Sequence, residues 1–340
     1  MIDFRYHLVS LIAVFLALAV GIVLGAGPLR DTIGDTLTGQ VEELRADRDQ
    51  LRAELAGAEA DVTERSAYLD ASAPVLLDGA LAGRDVAVVT LPGTTEDDVQ
   101  EVRDRVGQAG AELVGEVAVT EAWTDPDNRS FRQSFAGQLL GYLQPAPAAD
   151  AGIETIFGLA LGHALTGAGP DGAPTPDAGT LLDLLTSADA PLVTITTEPS
   201  AAADATILVG PRPAPVPAEG EEDEEQAETV EAALTGHVQL AAALSGVTAS
   251  VTVGAAATER DLVSAVRADD AAADSTTTVD SVGEVTAAIS APLALAVELS
   301  GATDHYGFQQ GANEPVPPRV ELEPAPAVEP AEVGAGEEAA

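Results

Sequence analysis

From Leu8 to Leu29 the chain runs twenty-two residues, "LVSLIAVFLALAVGIVLGAGPL", without a charge. At about 1.5 Å per residue a helix of that length reaches roughly 33 Å, enough to cross a hydrocarbon core of about 30 Å. Residues 1–29 are therefore expected to form an N-terminal transmembrane helix. The apolar part of a secretion signal is shorter, about 7–15 residues, so the length favours a retained anchor. Cleavage stays open, because Val23 and Gly25 are small enough to precede a cut, and so does a buried core helix. Arg5 stands before the span, and Arg30 and Arg45 follow it among acids, so the positive-inside balance is near parity. The short leader and the very acidic remainder favour a single-pass protein of the cell membrane or envelope, with its body outside the cytoplasm. Ala13, Ala17, Gly21 and Gly25 recur every four residues, a spacing that lets two membrane helices approach closely. They are the expected helix-pairing face. An abundance of Ala and Gly gives the same stripe without any pairing.

Behind the apolar run the period changes. In "RDTIGDTLTGQVEELRADRDQLRAELAGAEADVTERSAYLD" (Arg30–Asp70), Leu37, Leu44, Leu51 and Ala58 take heptad position d. Val41, Leu55, Val62 and Leu69 then fall at a, which makes a seam of period 3.5. Arg48 at an a site and Arg65 at a d site interrupt it and point to a short dimeric coil rather than a large bundle. The pairs Arg45–Asp49 and Asp61–Arg65 support the helix at i,i+4 spacing. Residues 30–70 are thus expected to be a coiled-coil stalk, and the chain a homodimer. The alternative is a lone amphipathic helix packed on its own domain.

Composition excludes several functions. The formal net charge is −41, and all fifteen basic residues are Arg. Nucleic acid and anionic lipid surfaces repel such a chain, so no nucleic-acid partner is expected. With no Cys there is no disulfide, no thiolate nucleophile and no zinc knuckle.

Residues 75–308 read as an α/β globular domain. "RDVAVVTLPG" is a short apolar run ended by Pro-Gly, hence a buried strand. "TTEDDVQEVRDRVGQAG" has a Thr cap, acids in its first turn, one apolar face and a glycine stop, hence a helix. "AELVGEVAVT" is a second strand, and the three make a β-α-β unit with a parallel pair. Helices are expected at Phe131–Leu143, Ile156–Leu165, Leu181–Ser187, Glu228–Leu244, Thr258–Ala268 and Leu293–Leu299. Strands are expected at "PLVTIT", "ATILVG" and "VTASVTVG". The sum is a Rossmann-like α/β sandwich with a largely parallel sheet. Residues 210–228, Pro-rich and then acidic, read as a mobile loop, and residues 309–340 as a disordered tail.

The chemistry-bearing motifs are weak. Gly167-Ala-Gly-Pro-Asp-Gly172 matches a dinucleotide fingerprint in letters, but it sits in a Pro-rich loop instead of between strand and helix. "LPGTTEDD" places Thr94 and Thr95 at a helix N-terminus, where Asp97 and Asp98 would oppose an anion, so capping is the expected role. No catalytic residue and no cofactor are expected, and the chain is not read as an enzyme. His7, His163, His237 and His305 are far apart in sequence, and soft Cu(I) sites want Cys or Met. Each His is expected to be structural, with His305 the one weak metal candidate.

The opening "HLVSLIAVFLALAVGIVLG", the heptads, "LAGRDVAVVTLPG" with "VGQAGAELVGEVAVT", and the late "HYG" at His305–Gly307 together resemble the MctB family, the mycobacterial copper-transport protein B family. The likeness covers roughly residues 1–308. It implies an envelope protein acting in copper export and homeostasis, and copper enters as a partner through the resemblance alone. The family's standing as an outer-membrane channel implies efflux through a pore. The residues fit a single span with an α/β body better than a barrel of alternating ten-residue strands. The competing reading is a non-catalytic, membrane-anchored dimeric scaffold or regulator of an envelope partner such as a cell-wall enzyme.

Overall fold

The computed structural model describes residues 4–26, 28–170, 172–187, 190–213 and 224–323. The chain divides into two compact units, Met1–Ala67 and Tyr68–Ala340. The first unit holds helix α1 (Phe4–Ala26) and most of helix α2 (Pro28–Leu77). The window Phe4–Val23 has a mean hydropathy of 2.4, and none of it is buried by protein. Among the described residues it is the one helix long and apolar enough to cross a membrane.

The second unit is a mixed α/β body on a seven-stranded sheet ordered β3-β2-β1-β4-β5-β6-β7. Its strands are β1 (Asp85–Thr90), β2 (Glu112–Val119), β3 (Val193–Thr197), β4 (Ala205–Val209), β5 (Ala249–Val253), β6 (Thr277–Val279) and β7 (His305–Tyr306). All neighbours are parallel except the edge strand β3, which runs antiparallel to β2. Strands buried on both faces lose the alternation of a half-exposed strand and become continuous apolar runs. "VAVV" in β1 and "ATILV" in β4 are such runs, and every one of these residues is buried.

Helices cover both faces. Val86, Val88, Ile207 and Val251 face α3 (Glu96–Gln108), α10 (Val285–Leu299) and the last turns of α2. Ala87, Val89 and Leu208 face the opposite layer. That layer holds α4 (Arg129–Leu139), α5 (Ile153–Thr166), α6 (Pro176–Ser187), α7 (Glu224–Val247), α8 (Leu262–Ala268) and α9 (Asp270–Ser275). The single Trp of the chain anchors it: Trp123 meets Phe157 edge-on at 5.5 Å, and Phe135 closes the cluster at 6.0 Å from Phe157. Helices α5 and α7 pack closely because Gly158 and Gly162 lie between them. A Cβ at Gly158 would meet Ala243, and one at Gly162 would meet Val247.

The last crossover differs in hand from the others. β1–α3–β2 and β4–α7–β5 step in opposite directions along the sheet with their helices on opposite faces, so they share the right hand usual for such units. β6–α10–β7 steps in the same direction as β4–α7–β5, yet α10 lies on the face of α3, which gives it the left hand. A buried ion pair holds the returning chain. Arg267 Nη1 lies 3.0 Å from Asp280 Oδ2, with 4% and 0% of the two side chains exposed. The Asp280 carboxylate also accepts from Ser281 Oγ and from the backbone N–H groups of Phe308 and Gln309. The Arg267 guanidinium donates to Thr278 Oγ1 and to the carbonyls of Tyr306 and Gln310. Gly307 passes beside this carboxylate with φ +134°, where a Cβ would strike it.

Several expected boundaries move. Helix α7 begins at Glu224, four residues inside the expected acidic loop; residues 214–223 of that loop lie outside the described residues. Residues 309–323, expected in a disordered tail, instead pack on the body. Arg319 donates to the carbonyls of Leu76 and Asp78, and Val320 and Leu322 rest on the α3–α10 layer. Residues 324–340 lie outside the described residues. The expected helix at Leu293–Leu299 starts eight residues earlier, at Val285.

Asp280→Ala leaves Arg267 charged and buried without its partner, a loss of about 3–5 kcal/mol. The pair Arg267→Met with Asp280→Leu removes both charges and is expected to lose clearly less. Urea unfolding of the detergent-solubilised chain checks the order, and equal losses in the two variants would refute it.

Candidate functional site

In open α/β sheets, ligands settle at the carboxyl ends of the strands where strand order reverses. Here that place is the gap between β1 and β4. Chain elements fill it. Thr94 Oγ1 donates to the Val209 carbonyl at 3.1 Å. Arg212, on the chain leaving β4, makes a two-pronged pair with Asp98, its Nε and Nη2 lying 2.9 and 2.6 Å from the two carboxylate oxygens. Asp98 is buried, and the Arg212 guanidinium beside it holds its carboxyl below the usual carboxylate range. Thr95 Oγ1 accepts from Asp98 N, so the turn caps α3. The Gly167–Gly172 turn joins α5 to α6 and follows a helix, the wrong context for a dinucleotide.

The weak metal candidate, His305, is half-buried on β7. Its Nδ1 lies 3.0 Å from Thr278 Oγ1. That hydroxyl also accepts from Arg267 Nε. Burial, then the charge of Arg267, hold this imidazole below its usual pKa. His305 is thereby tied to the Arg267–Asp280 clasp. Among the described residues no three of His, Cys, Asp and Glu are grouped so as to hold a metal ion. Neither Arg267–Asp280 nor Arg212–Asp98 was among the sequence candidates. The only local signal was a strand of threonines ending in "DSVG", which reads as polar loop.

The other sequence candidates lie on the first unit. Ala13, Ala17, Gly21 and Gly25 are exposed along α1, and a Cβ at Gly21 or Gly25 would meet nothing within 4 Å. On α2, Val41, Leu44, Leu51, Leu55 and Val62 are exposed by 44–66%, and Ala58 is exposed beside them. The side chain of Leu37 lies outside the described residues. Leu69, expected at the end of the seam, is half-buried against the body's own core with Ala73 and Leu77.

The family described as Copper transport outer membrane protein, MctB, matches residues 1–317. The chain belongs to the MctB family. The protein named Copper transporter MctB from Mycobacterium leprae is 29% identical over 322 residues, 92% of this chain and 98% of that protein. Proteins of the same name from Mycobacterium tuberculosis and Mycobacterium bovis are 34% identical over 135 residues. Those matches span 38% of this chain and 41% of each relative. The family's description names transport rather than a reaction. Within this MctB-family chain, the described strands form one open sheet covered by helices on both faces, which is not the wall of a membrane barrel.

One buried group of this body makes its stability sensitive to acid. Burial pulls the imidazole of His237, on α7, down to about 4, and its Nε2 has no hydrogen-bond partner among the described residues. An unfolded imidazole titrates near 6.5. Between the two values the unfolded chain holds a proton that the folded chain lacks, so stability falls as pH drops through that window. From pH 7 to pH 5 this contributes about 2 kcal/mol. His237→Gln is expected to unfold with a midpoint that depends less on pH over that range. An unchanged pH profile would remove His237 as its source.

Proposed function

We propose that this chain is a single-pass envelope protein serving copper export or homeostasis, with α1 as a retained anchor and the α/β body outside the cytoplasm. The observation that carries the reading is the extent of the family match, which takes in both the apolar helix and the body, residues 1–317. The relative from Mycobacterium leprae that matches 92% of this chain bears the name Copper transporter MctB.

The body's geometry favours a role through contact over conduction. The sheet is covered by helices on each face, and the gap between the ends of β1 and β4 is spanned by Arg212 and Asp98. Copper export in this reading is a task the chain shares with a partner in the envelope. A second reading, a dimeric scaffold for a cell-wall enzyme or its regulator, is favoured by the exposed Leu and Val stripe of α2, which suits a coiled-coil stalk.

A strain lacking the chain is expected to grow more poorly in graded copper and normally in matched zinc, and the full-length chain is expected to restore growth. Unchanged copper tolerance together with septation or envelope defects would reject the copper reading in favour of the scaffold. A reporter active only outside the cytoplasm, fused after Asp70, is expected to be active; activity only from a cytoplasmic reporter would invert the orientation.

A further inference from the structure

We propose that residues 40–66 of α2 pair with a second copy of this chain as a parallel, in-register, two-stranded coiled coil, aligned by Asp47 of one copy against Arg48 and Arg52 of the other. The inference rests on the stalk reading of α2 and is independent of copper.

The apolar face comes first. This stretch of α2 is uninterrupted helix, roughly 40 Å long at about 1.5 Å per residue. Leu44, Leu51, Leu55 and Val62 each keep more than half of their side chain in water. They recur every 3.5 residues, not every 3.6, so only a helix carrying the same repeat can follow the stripe along its length. A second copy is such a helix. Val at two a sites with Leu at two d sites favours two strands.

Charge decides direction. With Val41 at a, the g positions are Gln40, Asp47, Glu54 and Asp61, three of them acidic and none basic. An antiparallel pair sets g against g and stacks acid on acid along one edge. A parallel pair sets each g against the e position five residues further on. Asp47 then faces Arg52, Glu54 faces Glu59, and Asp61 faces Ser66. The two-fold axis doubles the attractive pair and the repulsive one alike, and no edge is wholly acidic.

Arg48 decides register. It occupies an a site in the middle of a face whose other charged member, Arg65, lies at the far end of the stretch. Sliding one copy by a heptad buries one Arg48 against Val41 and the other against Leu55, and sets one Asp47 against Glu59 and the other against Arg45. With no slide, the two Arg48 side chains share one layer flanked by two Asp47 carboxylates. Each Arg48 also reaches its own Asp49, Nη2 to Oδ1 at 2.6 Å. A polar residue at one a site is an established means of fixing alignment at some cost in stability. The seam ends below Leu69, which the body's own core takes up.

The chain has no Cys, so a single introduced Cys reports one position. Full-length L44C, L51C, A58C and A53C would be oxidised with diamide in native membranes and run on non-reducing gels. The proposal expects a disulfide-linked dimer from each of the three seam variants and little from A53C on the outer face. A dimer from only one seam position, with L44C and A58C linking only when mixed, would show an antiparallel pair and overturn the proposal. Links in none of them, or equal links in A53C, would remove the stalk itself. In the L51C background, R52D sets acid against Asp47 and is expected to cut the linked fraction on the order of three-fold. R45D, whose position faces Gln40, is expected to leave it nearly unchanged. Equal effects would overturn the alignment while keeping the dimer.

Discussion

Burial of the central strands on both faces is the constraint from which the rest of the body follows. No residue of β1, β4 or β5 is exposed, and only Asp85 and Ala249, the first residues of β1 and β5, lie short of burial. Such a sheet is stable only between two helical layers, so α3 and α10 must lie on one side and α5, α7 and α8 on the other. The same burial keeps these strands from lipid. The long apolar surface left uncovered among the described residues is that of α1, whose window Phe4–Val23 no part of the protein buries. The two units thus differ in where their apolar surface lies: in the first, helix α1 offers it outward, and in the second the sheet shuts it in.

What was legible in the sequence was what local chemistry dictates. The first β-α-β unit could be read because its strands are unbroken apolar runs and its helix carries a cap, an acidic first turn and a glycine stop within seventeen residues. β6 was missed because two of its three residues are threonines, Thr277 and Thr278, which are wholly buried. Distant groups make that burial tolerable. Thr277 donates to Glu298, and Thr278 sits between Arg267 and His305. The first half of α10 was hidden by Pro292, which usually ends or kinks a helix. Residues 309–323 read as disordered from composition, yet they are held by bonds such as Arg319 to the carbonyls of Leu76 and Asp78, more than 240 residues away in sequence. No window of neighbouring residues contains that information.

The candidate surfaces divide in the same way. The heptad stripe is periodic, and periodicity survives folding, so its exposed leucines were found directly. Leu69 marks the limit of such reading. It continues the seam in register and equally continues the stripe of Ala73 and Leu77 on the body, and only tertiary packing decides between the two. Asp280 and Arg212 escaped notice because their partners lie 13 and 114 positions away. Both are side chains that fix the chain's path, one at the left-handed return and one across the gap between β1 and β4.

Copper sharpens the question of what the body is for. Cu(I) prefers thiolate and thioether ligands, and this chain carries no Cys and a single Met. Its own donors are fifty-six carboxylates and four imidazoles. Of those imidazoles, His237 is held neutral by burial, and His305 is committed through Nδ1 to the clasp at β6. Carboxylates in such excess raise the local concentration of cations without selecting among them. Apart from Met1, this sequence therefore carries no side chain of the soft class that Cu(I) prefers. What the described chain does leave uncovered is the apolar helix α1 and, on α2, the leucines and valines of a heptad stripe.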